Sequence, residues 1–123
     1  MIKGTGVDIV EIPRMEKALQ KENFVNRVFT KKEQAYCNSR KHQASASYAV
    51  RFAGKEAVVK ALGTGLVGGT WQDIEILPDE NGMPRVKLYG YFAYSATKRK
   101  IYNIFITLSH CKDYAVAQVI LEG

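Results

Sequence analysis

The run Arg51-Phe52-Ala53-Gly54-Lys55-Glu56-Ala57-Val58-Val59-Lys60 is the part of the chain richest in residues able to do chemistry. Glu56 and Lys60 stand four positions apart, so in a helix they share a face with roughly 6 Å between their bases. Two readings of that pair are open: a surface ion pair worth a few tenths of a kcal/mol, or an acid and a cation held ready for a ligand. Ala49, Ala53 and Ala57 are expected on the same face, where small side chains leave room for something to approach. Lys60 leads in less than a turn to Gly63-Thr64-Gly65, whose N–H groups can approach phosphate without a Cβ in the way. That loop follows a helix C-terminus, whose partial negative charge repels anions, so a phosphate there needs compensating cations such as Lys60 and a metal ion. A plain glycine cap explains the same three residues, and no Walker A pattern is present because no Gly-Lys-Ser/Thr opens a following helix.

Asp8 is the second candidate, a carboxylate set among Val7, Ile9 and Val10. If its strand lies beside the helix, Asp8 and Glu56 converge. Two carboxylates with open coordination positions beside a phosphate are a common way to hold Mg²⁺, at ~2.0–2.1 Å per oxygen. Spacing by itself does not establish that convergence. Ser109 and His110 do not make a nucleophile and its base, because adjacent strand residues point to opposite faces. His110 reads either as a surface hydrogen-bonding residue or as a donor at a phosphate site.

Positioning these groups requires a strand over residues 2–12, a helix opened by Pro13, and a second helix opened by the capping box Thr30-Lys31-Lys32-Glu33. Residues 38–45 read as a polar connection, 46–62 as the strongest helix and 63–70 as a glycine-rich loop. Alternation predicts strands over 71–77 and 85–89 about an Asn81-Gly82 turn, and over 101–108 and 114–121. Tyr102, Ile104, Ile106 and Leu108 are expected on one face, and residues 91–100 are expected as a short helix. The order points to an α+β fold, an antiparallel sheet against a long central helix.

The 123 residues carry 18 Lys plus Arg against 12 Asp plus Glu, for a formal net charge of +6, with 46% apolar and 24% charged residues. This fits a single folded domain over residues 1–123 and excludes a disordered chain. No run reaches the ~20 apolar residues of a membrane span, and no secretory signal is visible, so no membrane is expected as a partner. Cys37 and Cys111 exclude a disulfide framework and a structural zinc site, and the expected location is the cytoplasm. Residues 1–60 hold 12 basic and 6 acidic side chains, whereas residues 61–123 hold 6 of each. A field so placed favours an anionic partner. Nucleic acid is not expected to be that partner, because aromatics are not interleaved with the basic run and no recognition signature appears.

Three segments in order, Gly6-Val7-Asp8-Ile9-Val10-Glu11-Ile12, then Arg51 to Ala57 with Lys60-Ala61-Leu62-Gly63-Thr64-Gly65, then Leu108-Ser109-His110 with Tyr114-Ala115-Val116-Ala117, resemble the holo-[acyl-carrier-protein] synthases from end to end. These are the short-chain branch of the 4′-phosphopantetheinyl transferases. The resemblance implies a homotrimer with active sites between protomers. It also implies transfer of phosphopantetheine from coenzyme A to a serine of apo acyl carrier protein, with release of adenosine 3′,5′-bisphosphate, as fatty acid biosynthesis requires; carriers of polyketide or peptide synthesis are equally compatible. It makes Asp8 and Glu56 ligands of Mg²⁺, sets Lys60 beside the pyrophosphate, and makes Gly63, Thr64 and Gly65 the coenzyme A loop. Arg51, Pro84, Ser109 and His110 correspond to the nucleotide end, some of them reaching in from a neighbouring protomer. Arg14 matches the position that meets the carrier, and Lys17, Lys21 and Arg27 extend its basic patch. Glu56, Lys60 and His110 are the candidate catalytic residues; the base that takes the serine proton is open between Glu56, His110 and water.

Overall fold

A computed structural model describes residues 1–123. The alternation near the start becomes strand β1 (Ile2–Glu11), which turns Gly4, Gly6, Asp8 and Val10 inward and the residues between them outward. Helix α1 (Ile12–Leu19) follows at once, with Pro13 in its first turn where the missing N–H costs nothing, and buries Ile12 and Met15. Helix α2 (Glu22–Val28) carries no side-chain cap, which is why the sequence shows no start signal for it. The Thr30 capping box forms as expected: Glu33 N–H donates to Thr30 Oγ1 at 3.1 Å and Thr30 N–H donates to Glu33 Oε1 at 2.9 Å, opening α3 (Lys31–Ser39).

The polar connection is shorter than its composition suggests. One 3₁₀ turn, Lys41–Gln43, separates α3 from α4 (Ala44–Leu62), which ends where Gly63 takes φ +76°. Trp71–Asp73 forms a 3₁₀ turn rather than the start of a strand, because the Asp73 carboxylate accepts the Thr70 N–H at 3.1 Å. Strands β2 (Ile74–Pro78) and β3 (Pro84–Leu88) then pair about Gly82, at φ +83°. Helix α5 (Gly90–Lys98) leads to β4 (Asn103–His110) and β5 (Tyr114–Glu122). Tyr102 lies outside β4 and is 72% exposed, so the inward face of that strand is Ile104, Ile106 and Leu108 alone.

The result is α+β: an antiparallel sheet in the order β1-β5-β4, a separate β2-β3 hairpin, and α4 packed against both. The main core joins Ala53, Ala57, Val58, Ala61 and Leu62 of α4 to Ala117, Val119 and Leu121 of β5 and to Ile74, Ile76 and Phe92. Ala49, Ala53 and Ala57 are fully buried, so they do not line the open face carrying Glu56 and Lys60 as expected. What approaches these small residues is protein. A Cβ on Gly6 would sit 2.0 Å from Ala57 O, and one on Gly4 would sit 2.2 Å from Ala61 O, so β1 rests directly on the backbone of α4.

A second face of α4 is polar yet buried. The Lys55 ammonium pairs with Glu33 at 2.8 Å and donates to Trp71 O and Ile74 O, while Glu33 Oε2 accepts Ile76 N–H at 2.8 Å. Burial pushes the Lys55 pKa down, against the pull of Glu33. Every buried side-chain N or O atom has a partner, so this network tethers α3 and the β2-β3 hairpin to α4 without leaving a polar group orphaned.

Two glycine substitutions separate close approach from backbone freedom. Gly6→Ala should cost about 3 kcal/mol or more, because helix and strand must part. Gly63→Ala, with nothing within 4 Å of its Cβ, should cost about 1–2 kcal/mol for the left-handed φ alone. Urea denaturation of both variants measures the difference.

Candidate active site

The close packing of β1 on α4 decides where Asp8 falls. Lys60 Nζ donates to Asp8 Oδ1 at 2.9 Å and to Val7 O at 3.1 Å, across a sequence separation of about fifty residues. The Asp8 side chain is 17% exposed and that of Lys60 53%, so the carboxylate is sheltered while the ammonium faces solvent. The hydrogen bond to Asp8, then its charge, raises the Lys60 pKa. Burial raises the Glu56 pKa above the usual carboxylate range; the Asp8 charge adds to that and Lys60 opposes it.

Asp8, Glu56 and Lys60 line one open cleft of about 670 Å³. Met15, Ala18, Phe24 and Phe52 give the cleft an apolar lining, and Arg14 and Glu11 line it too, 3.7 Å apart in a weak ion pair. No group of three or more His, Cys, Asp or Glu side chains gathers to make a closed metal site. Two carboxylates alone suit a hard cation that keeps most of its positions for water and phosphate, as Mg²⁺ does, and they do not suit structural zinc. Asp8 and Glu56 therefore fit such an ion, and without one the Asp8 charge disfavours the ionised form of Glu56.

Other candidates lie elsewhere. Gly63, Thr64 and Gly65 leave the C-terminus of α4 as an exposed turn. Lys17, Lys21 and Arg27 are exposed on or beside α1 and α2, and Lys21 and Arg27 flank a depression that shares Ala18 and Phe24 with the cleft. Arg51 does not line the cleft within one protomer. It is only 5% exposed, donating to Ile76 O at 3.0 Å and to Ser47 Oγ at 3.0 Å and stacking 4.6 Å from the Tyr36 ring centre, because it shares the buried face of Lys55. Pro84 opens β3 beside a groove with Phe105 and Thr107, and Ser109 and His110 end β4 exposed; none of the three lines the cleft within one protomer.

The cleft also holds residues that the sequence reading missed: Met15, Phe24, Phe52 and Tyr114. Phe52 carried a usable signal, since positions 52, 56 and 60 fall on one helical face. Phe24 and Tyr114 carried none, being delivered by α2 and β5 from opposite ends of the chain.

An α+β fold presenting two carboxylates and a lysine in one cleft, with a glycine turn ending the helix that carries two of them, defines a class that comparison makes explicit. Residues 4–119 match the family described as the 4′-phosphopantetheinyl transferase superfamily. The chain belongs to that superfamily and is an enzyme of its holo-[acyl-carrier-protein] synthase family. It is 49% identical over 125 aligned positions to the holo-[acyl-carrier-protein] synthase of Geobacter sp., covering 99% of each chain. Among solved structures it is similar to the Bacillus anthracis holo-(acyl-carrier-protein) synthase in complex with CoA (3′,5′-ADP), with TM-score 0.82, 35% identity, and 98% of this chain and 96% of that one covered. It is also similar to the Neisseria meningitidis holo-[acyl-carrier-protein] synthase, with TM-score 0.90, 28% identity and full coverage of both chains.

A carboxyl whose pKa is higher folded than unfolded stabilises the fold while protonated, and that stability is lost as pH rises through the folded value. At neutral pH, ionised Glu56 is therefore a net cost to the metal-free protein. Glu56→Gln should raise the Tm of EDTA-treated protein at neutral pH, and the gain should vanish below about pH 4, where the wild-type group is also neutral. Thermal melts across that range check the sign.

Proposed function

We propose that this enzyme moves the 4′-phosphopantetheine arm of coenzyme A onto a serine of apo acyl carrier protein. The reaction is Mg²⁺-dependent and releases adenosine 3′,5′-bisphosphate. The observation that carries the proposal is the meeting of Asp8, Lys60 and Glu56 in one cleft beside an exposed basic surface. The coenzyme A complex of the Bacillus anthracis relative supports the choice of co-substrate.

The serine oxygen forms a bond to the phosphorus bearing the pantetheine arm, and the bond from that phosphorus to the oxygen of the nucleotide phosphate breaks. Lys60, its ammonium half exposed, offers a donor to the departing phosphate. Asp8 and Glu56 would hold Mg²⁺, which when bound supplies charge neutralisation at the pyrophosphate. Glu56, His110 or a water takes the serine proton in this reading. The wall of Met15, Phe24 and Phe52 keeps water from one side of the cleft and offers apolar surface to the pantetheine arm. Most of the rate then comes from holding two substrates in line.

Arg14, Lys17, Lys21 and Arg27 form the surface for the carrier, which is an acidic protein in this reading. A homotrimer is part of the same proposal. Val7, Ile9, Phe105 and Val116 are exposed on the sheet face away from α4, an apolar patch suited to self-association. Neighbouring protomers would then bring Pro84, Ser109 and His110 to the nucleotide end. The role extends to fatty acid biosynthesis in the cytoplasm; no helix is long and apolar enough to cross a membrane.

Incubation with coenzyme A, Mg²⁺ and apo carrier protein should add the mass of one phosphopantetheine to the carrier, and EDTA should abolish the gain. An unchanged carrier mass would overturn the proposal. Arg14→Glu should raise the KM for carrier several-fold more than the KM for coenzyme A in steady-state assays, and equal effects would remove Arg14 from docking.

A further inference from the structure

The turn 63–65 leaves the C-terminal end of α4, where unpaired carbonyls present partial negative charge to any incoming phosphate. Lys60, in the last turn, relieves this only in part, because its ammonium is shared with Asp8 and Val7 O. A second cation is built in at that end. Arg99 Nη1 donates to Leu62 O, the last carbonyl of α4, at 2.7 Å, and Nη2 donates to Lys3 O of β1 at 3.3 Å. The guanidinium is partly buried, so solvent screens its charge less than at an open surface.

Its position is imposed by the end of α5. Arg99 N–H bonds Ser95 O at 3.0 Å, Lys100 takes φ +59°, and Ile101 N–H returns to Ala96 O at 2.9 Å as Ile101 enters the core. A non-glycine residue is thus held left-handed immediately after Arg99, a conformation that L side chains adopt at a cost.

We infer that Arg99 is a positioning residue for the co-substrate: it neutralises the end of α4 and fixes the turn at Gly63, which lets that turn accept the phosphates of coenzyme A. The inference rests on the coenzyme A reading above. Arg99 itself touches no reacting atom.

Arg99→Lys and Arg99→Gln separate charge from tethering, since both keep a donor for Leu62 O and only one keeps the cation. Calorimetric titration of the full-length protein with coenzyme A should give a Kd about 3- to 10-fold weaker for Arg99→Gln and near the wild-type value for Arg99→Lys. The deficit should shrink as salt is raised, and the KM for carrier protein should stay unchanged. A residue with only a structural role would lower Tm in both variants without separating them in Kd. Equal Kd values for Arg99→Gln and wild type, or equal losses in both variants, would overturn this assignment alone. Failure of the wild-type protein to bind coenzyme A would instead overturn the functional reading, and this inference with it.

Discussion

The structure depends on how closely strand β1 can lie on helix α4. Two glycines face two alanines across that contact, and the carbonyls of Ala57 and Ala61 fill the space that side chains on Gly6 and Gly4 would need. Helix and strand ordinarily keep a layer of side chains between them. Removing that layer moves Asp8, two residues further along the same inward-facing row, into hydrogen-bonding range of Lys60. Fold and cleft therefore share one cause, and a change that widens the contact damages both.

Helix α4 divides its labour by face. Arg51 and Lys55, four apart, are consumed in holding the β2-β3 hairpin and α3. Phe52, Glu56 and Lys60, also four apart, open onto the cleft. The buried set is fully satisfied, whereas the open set leaves Glu56 raised in pKa by burial and by a neighbouring carboxylate. Stability is concentrated on one face and sacrificed on the other, as expected of a site whose unfavourable charges await a ligand. A rigid polar face behind the open one holds the helix in place as the cleft's charge changes.

The basic excess of the first half of the chain likewise divides. Lys55 and Arg51 are interior and Lys60 belongs to the cleft, so the rest of the field reaching solvent comes from Arg14, Lys17, Lys21 and Arg27 about α1 and α2, from Lys31, Lys32, Arg40 and Lys41 on and after α3, and from Lys3. The apolar counterpart is on the far side of the sheet, where Val7, Ile9, Phe105 and Val116 lie exposed. In the proposed reading, the first surface meets a charged partner that comes and goes and the second is buried against a like surface.

Local order was legible in the amino-acid sequence wherever it is set by neighbours along the chain: the Thr30–Glu33 box, the Gly63 stop, the Asn81-Gly82 turn, the period-2 strands and the pairing of Glu56 with Lys60 on one helical face. The motif order was also sufficient to name the family. What the sequence could not express was burial direction. Arg51 and Lys55 look as available as Lys60, and Ala49, Ala53 and Ala57 look like an open stripe, until the packed strands cover them. The wall supplied by Phe24 and Tyr114, and the Arg99 contact at the end of α4, join residues separated by up to most of the chain's length. Periodicity tells which residues share a face of one element. Only the packing of elements against each other decides which face is buried, because that choice depends on the summed fit of side chains from every part of the chain.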